Sequence, residues 1–327
     1  MRKEVLAVGC ALMVFCGCGK NNAAQHYESG WAAMGKKDYT TAVNEFQQVI
    51  DQNSRLAESY RAEGIAYYSE KAYPEAIAAF SRSLNNMDDP DKEFKKDVQF
   101  YLAQARMDYG EVDKAIEVYS EILKAGEDEQ AFFLRGKAYI SMEDYKNAEK
   151  DFQRALEGCE DYNLYINIYQ IYVDHNKAVD GDAYLKMALE LEPQDGEDCY
   201  HRGRIYEYEK NYEAARDELK TAMEQGYEDA MLLLGRVYLE MEDPASARAM
   251  YHEYLQKSEQ GGKAYNGLAM CDIYDGAYDS ALENIAQGLK ENSKEDEQGL
   301  LYNEIVAYEY KRDFATAKEK MKIYLEQ

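Results

Sequence analysis

From residue 23 onward the chain repeats one hydrophobic signature: a small residue followed four positions later by a bulky apolar one. The pairs are Ala42/Phe46, Ala76/Phe80, Ala115/Tyr119, Ala148/Phe152, Gly181/Leu185, Ala215/Leu219, Ala247/Tyr251, Ala281/Ile285 and Ala317/Met321. Residues at i and i+4 share one face of a helix, so each pair marks the buried stripe of an amphipathic helix. Successive pairs are 34, 39, 33, 33, 34, 32, 34 and 36 residues apart. Twelve residues before each small member stands a second, mostly small position: Gly30, Gly64, Ala103, Gly136, Tyr169, Gly203, Gly235, Ala269 and Ile305. An aromatic follows three residues later at Tyr67, Tyr139, Tyr172, Tyr206, Tyr238 and Tyr308. This period predicts nine antiparallel helix pairs whose backbones come closest at the small residues, with large residues filling the space between pairs.

Two irregularities test that register. Tyr169 occupies a small-residue site, and across the predicted hairpin it meets Gly181, the one copy without Ala there; the reading is compensation. An alternative register would take Ala183 as the small residue and misplace Ala188 and Pro193. The spacing of 39 puts five extra residues into Asn85 to Lys95, a polar stretch containing Asp88, Asp89, Pro90 and Asp91 that reads as a longer loop.

The succession of Gly, Tyr, Ala and an aromatic over about 34 residues resembles the tetratricopeptide repeat. The resemblance covers residues 23–327, with copies starting near 23, 57, 96, 129, 162, 196, 228, 262 and 298. It implies an all-α fold, a right-handed α-solenoid of about nine helical hairpins with a continuous core and a concave surface. Positions lining the groove of that family correspond to one ridge of Tyr27, Phe100, Phe133, Ile166, Tyr200, Leu232 and Tyr302. A second ridge is Met34, Tyr68, Met107, Ile140, Val173, Leu239 and Ile273. Between them run Trp31, Gln104, Lys137, Gln170, Arg204, Arg236 and Met270. Lys137, Arg204 and Arg236 either meet an acidic group on a ligand or pair with acids of neighbouring repeats. Tyrosines at the repeat positions, including Tyr39, Tyr73, Tyr145, Tyr212 and Tyr278, are read as core.

Charge narrows the partners. Asp and Glu number 63 against 38 Lys and Arg, a formal charge of −25, which argues against a phosphate backbone or an anionic bilayer surface as ligand. The first residues differ in kind: basic Arg2 and Lys3, an apolar run from Val5 to Phe15, then Cys16, Gly17 and Cys18. This reads as an export signal of residues 1–17, and its end resembles a bacterial lipoprotein signal with Cys18 as the lipidated residue. Residues 18–22 then form a short tether, and acylation supplies a stable, palmitate-type anchor on the outer side of the membrane. Once residues 1–17 leave and Cys18 is acylated, Cys159, Cys199 and Cys271 remain; their wide spacing is no disulfide framework and suits small packing residues.

Catalysis finds no support in motifs. His26, His175, His201 and His252 form no His-Glu-x-x-His, and neither a phosphate loop nor a Gly-x-Ser-x-Gly elbow occurs. The acidic stretches Asp174–Asp182 and Asp272–Asp279 lack the spacing of a calcium-binding loop. The sequence therefore predicts no enzyme, metal or cofactor. It predicts a cell-envelope scaffold or adaptor that binds an extended peptide or a helix of a protein partner. The alternative is a wall-glycan binder using the groove tyrosines.

Overall fold

The computed structural model describes residues 22–87, 91–258, 261–291 and 297–326. The predicted signal segment, Cys18 and the tether up to residue 21 lie outside them. The chain divides into two compact units. Unit 1 runs to Cys159 and adds Gln170–Ala178; unit 2 comprises Glu160–Tyr169 and Val179–Gln327. Among the described residues there are eighteen α-helices and no strand.

Unit 1 holds α1 (Asn22–Gly35), α2 (Tyr39–Asp51), α3 (Leu56–Ser69), α4 (Tyr73–Asn85), α5 (Lys92–Tyr109), α6 (Val112–Ala125), α7 (Glu129–Ser141), α8 (Tyr145–Ala155) and the second part of α9 (Tyr162–Asp174). Unit 2 holds the first part of α9, α10 (Ala178–Leu189) after its first residue, α11 (Gly196–Tyr208), α12 (Tyr212–Glu224) and α13 (Ala230–Glu240). It continues through α14 (Pro244–Lys257), α15 (Gly262–Tyr274), α16 (Tyr278–Glu291), α17 (Glu297–Tyr310) and α18 (Phe314–Leu325). From α1 to α8 in unit 1, and from α11 to α18 in unit 2, each odd-numbered helix packs on the even one that follows, and that one on the next odd helix, so these hairpins stack in chain order.

Local chemistry sets the hairpin turns. Five residues before each small residue, one residue adopts a left-handed backbone: Lys37, Lys71, Gly110, Glu143, Asn176, Lys210, Glu242, Gly276 and Arg312. Only two of the nine are glycine, so seven turns carry a conformation costing about 1 kcal/mol apiece. The next residue caps the following helix. Thr41, Asn147, Ser246 and Thr316 donate backbone N–H groups to Asp38, Asp144, Asp243 and Asp313 at 3.0–3.2 Å. A carboxylate there satisfies an orphan donor and faces the positive helix end, which gives part of the acidic surplus a structural use.

The small-and-bulky signature is the core. Ala42, Ala76, Ala115, Ala148, Ala215, Ala247 and Ala281 are buried, as are Phe46, Phe80, Tyr119, Phe152, Leu185, Leu219, Tyr251 and Ile285. The reason for the small residue twelve positions earlier differs from the expected approach of two backbones. A Cβ on Gly30, Gly64, Gly136 or Gly235 would stand 2.5–2.7 Å from the ring of Phe46, Phe80, Phe152 or Tyr251. The glycine makes room for an aromatic ring sixteen residues on, and burying such a ring stabilises by about 1.5–3 kcal/mol. In the fifth copy Gly181 and Leu185 are buried while Ala183 is exposed, consistent with the Gly181 register. Tyr169 is half-buried, with its ring 5.3 Å from that of Tyr208 in unit 2.

Three further expectations need correction. The stretch Asn85–Lys95 is not all loop: Asp91 caps α5 at Glu93, and residues 92–95 are helical, so the surplus lengthens α5 by about a turn. Tyr39, Tyr73, Tyr145, Tyr212 and Tyr278 are half-buried rather than core. They start even-numbered helices and stitch repeats at the turn edge: Tyr278 stacks on Tyr310 at 5.7 Å, and Tyr212 donates to Glu240 at 3.2 Å. Met321 of the last copy is only partly buried, because no described hairpin covers α18. Cys199 and Cys271 are buried as expected, the Cys271 thiol being pushed up to about 11 by burial.

A partly buried ion pair recurs within hairpins, linking residues sixteen apart. Arg135 forks onto Asp151 at 2.7 and 2.8 Å, Arg202 reaches Glu218 at 3.1 Å, and Lys320 reaches Glu304 at 2.8 Å. In the second copy Glu63 occupies the same place, but the position sixteen residues on is Ala79. Glu63 is 3% exposed and its Oε2 has no hydrogen-bond partner. Burial raises its carboxyl to about 7, with Asp51 adding to the rise and Arg82 opposing it.

Candidate functional site

The odd-numbered helices carry every predicted groove residue, but their surroundings differ by unit. In unit 1, Trp31 packs edge-on against Phe46 at 5.5 Å, Phe100 lies 6.3 Å from Tyr119, and Phe133 lies 6.1 Å from Phe152. These rings are half-buried and rest on the core aromatic of their own hairpin. Tyr68 donates to Asp108 at 2.5 Å, across to the next repeat. Its hydroxyl is raised, first by burial and then by that hydrogen bond. Lys137 is exposed and has no ion-pair partner among the described residues.

Two predicted groove residues are core. Ile140 is fully buried and Ile166 is 2% exposed, so neither presents a surface to a ligand. Register alone placed them on the groove ridges, and the packing around them closes over the side chain.

Unit 2 gathers Tyr200, Leu232 and Arg236, but not Arg204, into the walls of a cleft of about 410 Å³. Its walls are Tyr200 of α11, Leu232, Leu233 and Arg236 of α13 with Asp229 just before it, Tyr251 of α14, Lys263, Asn266, Gly267 and Met270 of α15, and Gly299 of α17. Tyr200, Leu232 and Arg236 were expected from the sequence, and Met270 stood on the strip between ridges. Asn266 was missed although it stands 34 residues beyond Leu232, the repeat spacing, because a search for an apolar ridge passes over a polar residue. Gly267 and Gly299 leave no side-chain signal at all. A Cβ on Gly267 would collide with the Tyr251 ring, so that glycine lets α15 lie directly on the cleft floor.

The cations divide. Arg236 is not available: its Nε and Nη2 donate to both oxygens of Glu207 at 2.5 and 2.6 Å, a bidentate pair with the preceding repeat. Arg204, one turn beyond Tyr200 on α11, has no carboxylate partner among the described residues. Its Nη1 donates to His201 Nδ1 at 3.2 Å, and its guanidinium lies 5.9 Å from the Tyr200 ring centre. His201 is buried and lowered to about 4, by burial first and then by the Arg204 charge, so it is neutral at pH 7. On the other side of the ring, Asn163 Nδ2 lies 2.9 Å from His201 Nε2. The result is a half-buried guanidinium held by a neutral ring, with charge left to satisfy.

The comparisons agree with this architecture. The tetratricopeptide repeat model matches residues 27–91, 200–262 and 232–297, and a second tetratricopeptide repeat model matches 129–161. Together these spans exceed half of the chain. Yeast Tom70 is similar in structure, with TM-score 0.53 and 16% identity over 95% of this chain and 70% of that one. A tetratricopeptide repeat protein from Parabacteroides merdae ATCC 43184 has TM-score 0.47 and 16% identity over 87% of this chain and 99% of that one. At such identities these likenesses concern the fold alone. No curated protein matches significantly. With its period, its eighteen helices and the matching spans, this chain belongs to the tetratricopeptide repeat family.

Proposed function

We propose that the protein is a non-catalytic interaction scaffold that binds an extended peptide segment of a protein partner in the unit 2 cleft. The observation that carries this reading is a cleft of mixed apolar and polar lining that includes Tyr200 of α11, with Arg204 one turn further along the same helix. Leu232 and Met270 offer apolar surface, while a half-buried guanidinium without a carboxylate partner suits an acidic side chain or a terminal carboxylate on the peptide. Lys137 is a second such cation in unit 1, whereas Arg236 is already neutralised by Glu207. The partner belongs to the cell envelope in this reading, and Cys18 holds the chain to the outer side of a bacterial membrane through its lipid. The Cys16-Gly17-Cys18 ending and the basic start of the chain support that location.

The experiment selects peptides from a random library on the immobilised chain and measures the affinity of the best ones for Arg204→Ala. A lost charge-assisted contact weakens binding by roughly 1.5–3 kcal/mol, whereas Lys220→Ala, on an exposed position of α12, leaves affinity unchanged. Equal losses for the two variants would remove Arg204 from the mechanism. Absence of any enriched peptide would remove the peptide reading.

A further inference from the structure

Helix α18 carries a stripe that earlier even-numbered helices use to receive the next helix. In α16 that stripe is Tyr278, Leu282, Ile285 and Leu289, and α17 covers it. Tyr278 stacks on Tyr310, and Ile285 is buried in one cluster with Leu300 and Ala307, against which Leu282 and Leu289 pack. Ile77, Phe80 and Leu84 of α4 meet Val98 and Leu102 of α5 in the same way. Thirty-six residues after the α16 stripe, α18 repeats it as Phe314, Lys318, Met321 and Leu325. No described helix covers this copy: Phe314 is 65% and Leu325 73% exposed. Together α17 and α18 hold five of the twelve large apolar residues exposed among the described residues, a concentration that marks a contact surface rather than scattered exposure.

Spacing and charge select the helix that fits. The stripe positions are 4, 3 and 4 residues apart, the seam of a coiled coil, and they read the same in both directions. Turned about a two-fold axis at the middle of α18, the stripe meets itself with Phe314 opposite Leu325 and Lys318 opposite Met321. Lys318 can lay its aliphatic stem along Met321 and keep its ammonium in water. Beside the stripe, exposed Lys322 of one copy comes within reach of exposed Glu319 of the other, twice by symmetry. In a chain of charge −25, α18 carries three lysines against one glutamate, so two acidic copies approach more easily here than through their acidic surfaces.

We infer that α18 is a self-association surface, through which two copies of the chain join in an antiparallel, isologous α18 to α18 contact. None of the residues lining the unit 2 cleft belongs to α18, so the pair keeps two clefts and gains avidity for a partner that repeats its binding segment. The contact itself does not depend on what the cleft binds.

The test is sedimentation of the full chain without its signal segment, up to about 200 μM because one helix per copy makes an interface at the small end of specific contacts. The parent shifts from monomer to dimer as concentration rises. Leu325→Asp weakens the dimer at least tenfold, whereas Ile323→Asp, exposed on α18 but off the stripe, stays within twofold of the parent. Lys322→Glu also weakens it, and adding Glu319→Lys in the same chain restores it. Circular dichroism confirms that the variants are folded. A monomer at every concentration, a dimer indifferent to Leu325→Asp, or a charge swap that restores nothing overturns the assignment. Peptide affinity measured on monomeric Leu325→Asp tests the cleft separately, so the two readings fail independently.

Discussion

Replacing Glu63 by Gln should stabilise the protein at alkaline pH and have little effect at acidic pH. Glu63 lies at a site where other copies hold an ion pair, faces Ala79 instead of a cation, and has a buried oxygen without a partner. The groups that act on it are Asp51 of α2, which opposes ionisation, and Arg82 of α4, which favours it; Tyr67 is its neighbour on α3. Its carboxyl rises from an ordinary value of 4.5 to about 7 because burial penalises the charged form. The sign follows from linkage. Below pH 4.5 both folded and unfolded chains are protonated and nothing is lost. As pH rises through 4.5 the unfolded chain ionises first, and stability falls until the folded group also ionises near pH 7. At 1.36 kcal/mol per pH unit the loss is at most about 3 kcal/mol, and about 1–2 kcal/mol once local relaxation and water entry are allowed for. Repeat arrays do not unfold in one step, so the assay is native-state hydrogen exchange of α3 and α4 amides rather than a global melt. Glu63→Gln should exceed the parent's protection by clearly more at pH 8 than at pH 5. An equal difference at both values would refute the argument, since a mere packing effect does not titrate.

The remaining predictions address packing, turns, attachment and charge. Gly64→Ala should cost about 1–3 kcal/mol by driving a methyl into the Phe80 ring, and Phe80→Leu in the same chain should recover part of it in thermal melts. Lys210→Gly, at a left-handed turn position, should raise stability by up to about 1 kcal/mol, whereas Gly276→Ala should lower it by a similar amount. Cys18→Ser should leave the protein unlipidated and release it from membranes; retention after a high-salt wash would contradict the anchor. For an acidic peptide, raising ionic strength to about 0.15 M, where the screening length is about 8 Å, should speed association with a chain of charge −25 while weakening the Arg204 contact.

The fold was legible because its determinants are local and periodic. The Ala/Phe pairs and the glycines sixteen residues before each ring repeat often enough to fix helix type, pairing and register without any long-range information. What escaped was set by three-dimensional detail. Residues 92–95 read as loop because they are polar, yet the Asp91 cap and an extra turn of α5 absorb them. Ile140 and Ile166 share the register of groove residues but are covered by packing that no single-chain pattern specifies. The fate of the three cations turned on whether an acid stood within reach: Glu207 lies one repeat before Arg236, while Arg204 finds only a neutral histidine. Asn266 and Gly299 carry no apolar signal, and their place in the cleft wall is seen only in space.

The central claim, that the helix face of unit 2 around Tyr200, Leu232 and Asn266 receives a peptide, is tested most directly by mapping hydrogen-exchange protection on the full mature chain with and without a library-selected peptide. The account predicts added protection, or shifted side-chain amide signals, confined to α11, α13, α15 and the start of α17, with Asn266 among the residues affected. Protection confined to unit 1, or to the even-numbered helices of unit 2, with the cleft unchanged would contradict it.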